Sequence, residues 1–119
     1  AWSKKDSWQI DPDWRDFDEA MTFIDTLNRK DYLGFHDWRM PEKHEIETLY
    51  APGSIILARS NAEIHLPELF EAGGATGSWA LPFDQQAAFF FSYQNGEAQH
   101  YDKDFSQGNV RPVRLWGDE

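Results

Sequence analysis

The sequence predicts one α+β domain in which helices come first and an antiparallel sheet follows. Apolar residues recur at helical spacing over 17–27, and shorter strand-like runs fill the last third of the chain. A chain of 119 residues with 40% hydrophobic and 16% aromatic residues can bury one modest core. We therefore expect two N-terminal helices packed on a small antiparallel β-sheet.

The first helix is predicted to begin near Asp16. Asp16 can serve as the N-cap, and Glu19 three residues later completes a capping-box pattern. The polar residues before it, 1–13, are expected to form an extended or loosely packed N-terminal segment. The apolar stripe of the helix consists of Phe17, Ala20, Met21, Ile24 and Leu27.

The second helix is predicted to follow the phrase "HDWRMP". Pro41 fits the first turn of a helix and favours an extended Met40 before it. In an extended segment Trp38 and Met40 point to one side and Arg39 to the other. We interpret Trp38, Arg39 and Pro41 as a structural hub, with Arg39 joining neighbouring segments by charge-assisted hydrogen bonds. Contact with a ligand is the alternative interpretation.

The last third of the chain predicts strands. "SWALP" is one candidate, and the turn signal Asn95-Gly96 lies between two strand-like runs, as in a hairpin. Alternation places Phe89 and Phe91 on one face of that hairpin and Phe90 on the other. "NVRPVRLW" is predicted as a closing strand with an edge position or a gap at its proline. "EAGGATG" is expected to be a flexible loop.

Composition excludes several functions. The formal charge of −10, from 11 basic and 21 acidic residues, makes nucleic acid an unexpected partner and repels polyanions. No apolar run is long enough to cross a membrane, so membrane insertion is not expected. Without cysteine, thiolate chemistry and disulfides are impossible. The serines lie in no nucleophile-elbow context, and no carboxylate pair stands out. We expect no enzyme.

The order of "DFDEAMTFIDTLN", "FHDWRMPEKHEIETLY", "GSWAL", "QNGEAQHYDKD" and "NVRPVRL" resembles a bacterial domain family. That family, of unknown function, is typified by the C-terminal domain of the Legionella collagen-like adhesin. The resemblance covers residues 14–116 and implies one C-type-lectin-like domain over residues 1–119. The positions that match the motifs of the family are Asp37, Trp38, Arg39, Pro41, Trp79, Val110, Arg111, Val113 and Arg114.

Two departures from the family pattern lead to a structural expectation. The family commonly has a cysteine in the first helix and another in the last strand, and Ile24 and Pro112 stand at those positions here. If the family pair forms a disulfide, the resemblance implies that Ile24 and Pro112 lie close together. With Trp79, the tryptophan of the predicted strand, these two residues complete the predicted structural hub.

The resemblance implies a non-catalytic recognition module of a bacterial surface or envelope protein, outside the cytoplasm. Its ligand would be a glycan or a protein. A structural or oligomerisation domain of a longer surface protein is the alternative, and a homo-oligomer is compatible with both. The polar and aromatic residues of the hairpin and its flanks are the predicted ligand contacts. They are Asp84, Gln86, Tyr93, Asn95, His100, Tyr101, Asp102 and Lys103.

No cofactor or metal is expected from the residues themselves. The histidines at 36, 44, 65 and 100 lack the spacing of familiar metal sites. Calcium stays open only by analogy with C-type lectins that bind sugar through it. "DPD" at 11–13 and "DKD" at 102–104 could supply carboxylates to such an ion.

Overall fold

The computed structural model describes residues 2–106 and 108–114. The helices are α1 (Ser7–Ile10), α2 (Phe17–Arg29) and α3 (Lys43–Glu47), with a 3-10 turn at Tyr32–Gly34. The strands are β1 (Ile56–Leu57), β2 (Glu63–Ile64), β3 (Gly77–Phe83), β4 (Ala87–Ser92) and β5 (Ala98–Asp102). β1 pairs with β2, and a separate antiparallel sheet has the order β3-β4-β5. The predicted α+β class is confirmed.

α2 begins where the sequence predicts. The Asp16 carboxylate accepts a hydrogen bond from the Glu19 backbone N–H at 2.8 Å, and the Glu19 carboxylate accepts from Asp16 N–H at 3.0 Å. One stripe residue was wrong, because Met21 is 38% exposed whereas Phe23 is buried. The two flank the same stripe on opposite sides, and the core lies on the side of Phe23. The Arg15 guanidinium packs there, 4.3 Å from the Phe23 ring centre.

The three-stranded sheet separates two apolar clusters. Its register places Trp79 opposite Phe90 and Phe89 opposite His100, which confirms the predicted hairpin. One cluster contains Trp79 and the buried face of α2, with Phe90 packed against it. The other contains Phe91 and Ile46 of α3. Both faces of β3 and β4 are therefore packed against apolar clusters.

The prediction of a regular closing strand was wrong for residues 108–114. This segment makes isolated bridges, from Gly108 to Arg15 and from Val113 to both Trp2 and Arg39. Pro112 offers no N–H, and successive residues bond to different neighbours, so no continuous ladder forms. Residues 115 and 116 of the predicted strand lie outside the described residues.

The N-terminal segment is packed, contrary to the expectation of a loose one. Asp6 and Ser7 are buried, and the Ser7 hydroxyl donates to the Asn109 side-chain oxygen at 2.6 Å. The predicted "EAGGATG" loop is irregular over residues 71–76, and hydrogen bonds hold it at several points. The Asp6 carboxylate accepts from the Ala75 N–H at 2.7 Å, and the Gln9 amide donates to carbonyls of that loop. These contacts join the N-terminal segment to the loop, although both segments are polar in sequence.

Candidate functional site

The "DWRMP" phrase lies at a junction of three segments. Trp38 is 5% exposed, and its backbone N–H and C=O both bond to the Asn28 side chain at the end of α2. Its indole N–H donates to the Tyr32 carbonyl at 3.0 Å. Pro41 is buried immediately before α3. The tryptophan therefore fixes the chain between the end of α2 and the start of α3.

Arg39 faces away from Trp38, as the extended backbone requires. Its guanidinium makes two hydrogen bonds, at 2.8 and 2.7 Å, to the Glu45 carboxylate of α3. Glu45 also accepts from the Glu42 N–H at the start of that helix. The paired arginine holds the pKa of Glu45 at about 2, and the carboxylate raises the pKa of Arg39. The charged groups of Arg39 and Glu45 therefore pair with each other and stabilise the start of α3.

The closing segment carries two further buried arginines. Arg114 donates to the Asp37 carboxylate at 2.9 Å and lies 3.5 Å from the Phe35 ring centre. Arg111 is 1% exposed and donates to the Ser3 carbonyl at 3.0 Å. The family-like arginines of this segment thus connect it to both the start and the middle of the chain.

Trp79 is fully buried in the middle of β3. Its indole N–H donates to the Arg15 carbonyl at 3.2 Å, and the Phe17 ring meets it edge-on at 5.6 Å. Ile24 and Pro112, the other predicted members of the hub, are both buried. That they lie close together stays a prediction.

The predicted ligand contacts are divided by the sheet. His100 and Tyr101 are neighbours on β5 and therefore point to opposite faces. His100 stacks on Phe89 at 4.3 Å, and Tyr101 stacks on Phe90 at 5.2 Å. His100 is exposed, whereas Tyr101 is half-buried. The two cannot contact one small ligand on the same face.

Tyr93 does not belong to a ligand surface. It is 0% exposed within the cluster that contains Phe91, and burial raises the pKa of its hydroxyl. The alternation of the hairpin continues beyond β4 and directs this ring inward. We therefore remove Tyr93 from the candidate site.

Asp84 and Asn95 hold the turns at the two ends of β4. The Asp84 carboxylate accepts from the N–H groups of Gln86 and Ala87 at 2.8 and 2.7 Å, which lowers the pKa of Asp84. The Asn95 side chain accepts from the Glu97 N–H at 3.0 Å. β4 spans six residues, so these turns are about 17 Å apart. Asn95 is consequently remote from the other predicted contacts.

The remaining predicted contacts converge at one end of the sheet. The Lys103 N–H donates to the Gln86 carbonyl at 2.9 Å. Electrostatic interaction with His100 and Lys103 also contributes to the lowered pKa of Asp84, so these groups lie near one another. Sequence reasoning missed the aromatic residue there. Phe83 is 52% exposed, and the Lys103 ammonium lies 4.4 Å from its ring centre. We call the set on the face of Phe83 the hairpin-end surface: Phe83, Asp84, Gln86 and Lys103. His100 and Asp102 lie at the same end of the sheet but on the opposite face, because Phe83 and Tyr101 both pair with Ala88.

Two larger grooves lie elsewhere. One of about 790 Å³ runs along α2 and is lined by the polar residues Asp11, Asp18 and Glu19 among others. Another of about 760 Å³ is more apolar and contains Leu69, which is 62% exposed, beside Phe70. None of the predicted ligand contacts lines either groove. The hairpin-end surface is therefore a shallow, exposed site.

Within residues 2–106 and 108–114, no three or more histidine or acidic side chains cluster in a way that could hold a metal ion. None of the helices described there has the length and apolar character that a bilayer crossing requires. The fold and its surfaces thus define a small α+β module with shallow grooves and a densely cross-linked core.

The model of one protein family, described as the Lcl C-terminal domain, matches residues 1–114. The chain belongs to the Lcl C-terminal domain family, which confirms the resemblance indicated by the motifs. The match begins before residue 14 and so includes α1 and the packed N-terminal segment. No curated protein matches the sequence significantly.

Proposed function

We propose that this chain is a recognition module of a bacterial surface or envelope protein and binds a glycan or a protein ligand. The family is adhesin-associated. In this proposal the domain lies outside the cytoplasm and has a C-type-lectin-like fold. The observation that carries the proposal is the exposed Phe83 ring among the polar side chains of the hairpin-end surface.

The chemistry of this surface supports ligand binding. Phe83 is 52% exposed, whereas phenylalanine is among the residue types most often buried. Lys103 lies over this ring at 4.4 Å, and the Phe17 ring supports it from the core at 5.1 Å. A positioned aromatic face with nearby carboxylate and amide groups is what sugars and protein ligands both use.

The net charge of the chain and the charges near the hairpin-end surface limit which ligands can bind there. A net charge of −10 repels a polysulfated chain at long range, because the acidic residues outnumber the basic ones almost two to one. At the hairpin-end surface itself, the Asp84 carboxylate accompanies the ammonium of Lys103. A neutral glycan or a protein ligand with a basic patch fits this field better.

A glycan array probed with the purified domain tests the proposal. We expect binding that falls at least tenfold in Phe83→Ala and Lys103→Ala. Gln94→Ala is the matched control, since Gln94 is exposed in the turn at the other end of β4. Repeating the array with calcium and with a chelator shows whether an ion takes part. An array without signal in either condition would contradict the glycan form of the proposal.

The apolar groove beside Leu69 favours a second candidate function, that of an assembly module. A leucine that is 62% exposed next to a groove of about 760 Å³ is a common feature of a protein interface. Sedimentation of the domain over a range of concentrations distinguishes the two. A monomer at every concentration argues against self-assembly.

A further inference from the structure

Trp8, which is half-buried, and the exposed Trp14 and Arg59 form a second group at the surface, here called the tryptophan–arginine cluster. The two indole rings are 4.9 Å apart, and the Arg59 guanidinium carbon lies 4.3 Å from the Trp8 ring centre and 5.1 Å from that of Trp14. Trp14 is 39% exposed. Core packing does not explain why two large aromatic rings and a cation lie together at the surface.

Arg59 differs from the arginines that hold the fold together. Arg15, Arg39 and Arg114 each pair with a carboxylate, at 3.2, 2.7 and 2.9 Å. In the described part of the chain, the Arg59 guanidinium makes no hydrogen bond or ion pair, although acidic residues are abundant. Its backbone is fixed, because its N–H donates to the Gly74 carbonyl at 2.7 Å. Its N–H donors are therefore available to a ligand.

The indoles orient this free guanidinium. Stacking on aromatic faces leaves the in-plane N–H groups of an arginine pointing outward at its rim. That fork matches the two oxygens of a carboxylate, and charge-assisted bidentate pairs are among the stronger hydrogen bonds in proteins. Because Arg59 is held by Trp8 and Trp14 before any ligand arrives, less side-chain entropy is lost on binding.

A small cavity adjoins the cluster. It has a volume of about 110 Å³ and is bounded by Trp14, Arg59, Ser60, Thr76 and Phe90. Gly77 also lines it, and a Cβ there would collide with Phe90 and the Phe91 carbonyl. Whole ligand pockets are typically several hundred Å³, so this cavity suits one small polar substituent of a ligand held outside it.

The cavity is distinct from the hairpin-end surface. Gly77 pairs with Ser92 and Phe83 pairs with Ala88, four residues away on β4, which separates them by about 14 Å. The arrangement thus combines an arginine that can bind a carboxylate, an exposed indole and a small recess bounded by Ser60 and Thr76.

From this juxtaposition we propose that the tryptophan–arginine cluster binds a terminal acidic monosaccharide. Its carboxylate pairs with Arg59, the apolar face of its ring packs on Trp14, and one small substituent enters the recess between Ser60 and Thr76. One arginine fork serves one carboxylate, so the site suits a monoanion and not a polyanion. The inference rests on the proposed recognition function and adds to it a second site and a ligand class.

Titration of the isotope-labelled domain with N-acetylneuraminic acid, followed by NMR, tests the inference. We expect saturable shifts of the Trp8 and Trp14 indole N–H signals, and none with the methyl ester of the same sugar, which lacks the charge. Arg59→Gln should weaken binding at least tenfold, and Arg59→Lys should restore only part of it, because an ammonium lacks the planar fork. Arg29→Gln, at an exposed arginine of α2, is the matched control and should bind as the parent does.

The outcomes separate this inference from the proposed function. Equal shifts with the acid and the ester, or binding unchanged in Arg59→Gln, would overturn the acidic-sugar site. A glycan array that loses its signal in Phe83→Ala, together with a titration in which Arg59→Gln binds the acidic sugar as the parent does, would preserve the recognition function while overturning this site. No signal in the array and no shifts in the titration would contradict both the glycan-binding function and the acidic-sugar site.

Discussion

Two buried arginines join residues that lie far apart in the sequence. Arg111 is 1% exposed and bonds to the Ser3 carbonyl, and Arg114 is 7% exposed and bonds to Asp37. A buried cation that loses its partners is costly, since its desolvation is then uncompensated. These side chains therefore make the closing segment dependent on the rest of the chain.

Glu45→Gln tests the ion pair that joins Arg39 to α3. At pH 7 we expect a loss of about 1 kcal/mol in the free energy of unfolding, a value that allows for the partial exposure of the pair. The folded pKa of Glu45 is about 2, below the ordinary value of 4.5. The unfolded chain therefore takes up this proton first, and the stabilisation present above about pH 4.5 is lost as pH falls towards 2.

Urea titrations at pH 7 and pH 2 measure this change. The variant and the parent should differ at pH 7 and converge at pH 2. Glu47→Gln, at an exposed glutamate of the same helix, should match the parent at pH 7. A constant difference at both pH values would show that the carboxylate charge does not matter.

At the scale of elements, local signals explain α2 and the hairpin well. The capping box of Asp16 and Glu19 and the turn at Asn95-Gly96 act within a few residues, so sequence alone can locate them. Packing between elements depends on close approach that no local signal describes. Gly108 is an example, because the closing segment crosses β3 there against Trp79.

Gly108→Ala should lower the free energy of unfolding by about 1–3 kcal/mol, since overpacking forces its neighbours apart. A Cβ at this position would meet the Trp79 indole nitrogen and, at 2.8 Å, the Arg15 carbonyl oxygen. Gly53→Ala is the matched control, because a Cβ there meets nothing within 4 Å. Urea midpoints compare the two variants, and equal midpoints would refute the close contact at Gly108.

At the scale of the whole molecule, the two ends of the described chain pack on each other. The Ser3 N–H donates to the Pro112 carbonyl at 3.0 Å, and the Ser7 N–H donates to the Val110 carbonyl at 2.8 Å. The family match over residues 1–114 spans this whole arrangement. We therefore expect truncation of the N-terminal segment to expose the closing segment.

The double variant Ile24→Cys with Pro112→Cys tests the expected proximity of these buried positions. A disulfide requires Cα atoms within about 7 Å. If the residues are close, mild oxidation should consume both thiols and raise the free energy of unfolding by about 2–4 kcal/mol over the reduced form of the same protein. Thiol titration and urea unfolding measure the two effects. Thiols that persist under oxidation would show that these positions do not meet.

Part of the candidate site was within reach of the sequence. Asp84, His100 and Lys103 were predicted because polar side chains flank a hairpin signal, and the structure brings them to one end of the sheet. Tyr93 was misassigned because alternation alone does not show which face is covered. Phe83 and Arg59 were missed, since their exposure depends on neighbours that are remote in sequence.

The α+β class, α2 with its cap, the hairpin and the family were all predictable from the sequence. Each of these depends on periodicity, on turn residues or on an ordered set of motifs, which operate over short distances along the chain. Tertiary structure decided that the N-terminal segment is packed, that the closing segment is not a regular strand and that Trp8, Trp14 and Arg59 meet. Those outcomes depend on contacts between distant segments, whose energies are not encoded in any local pattern.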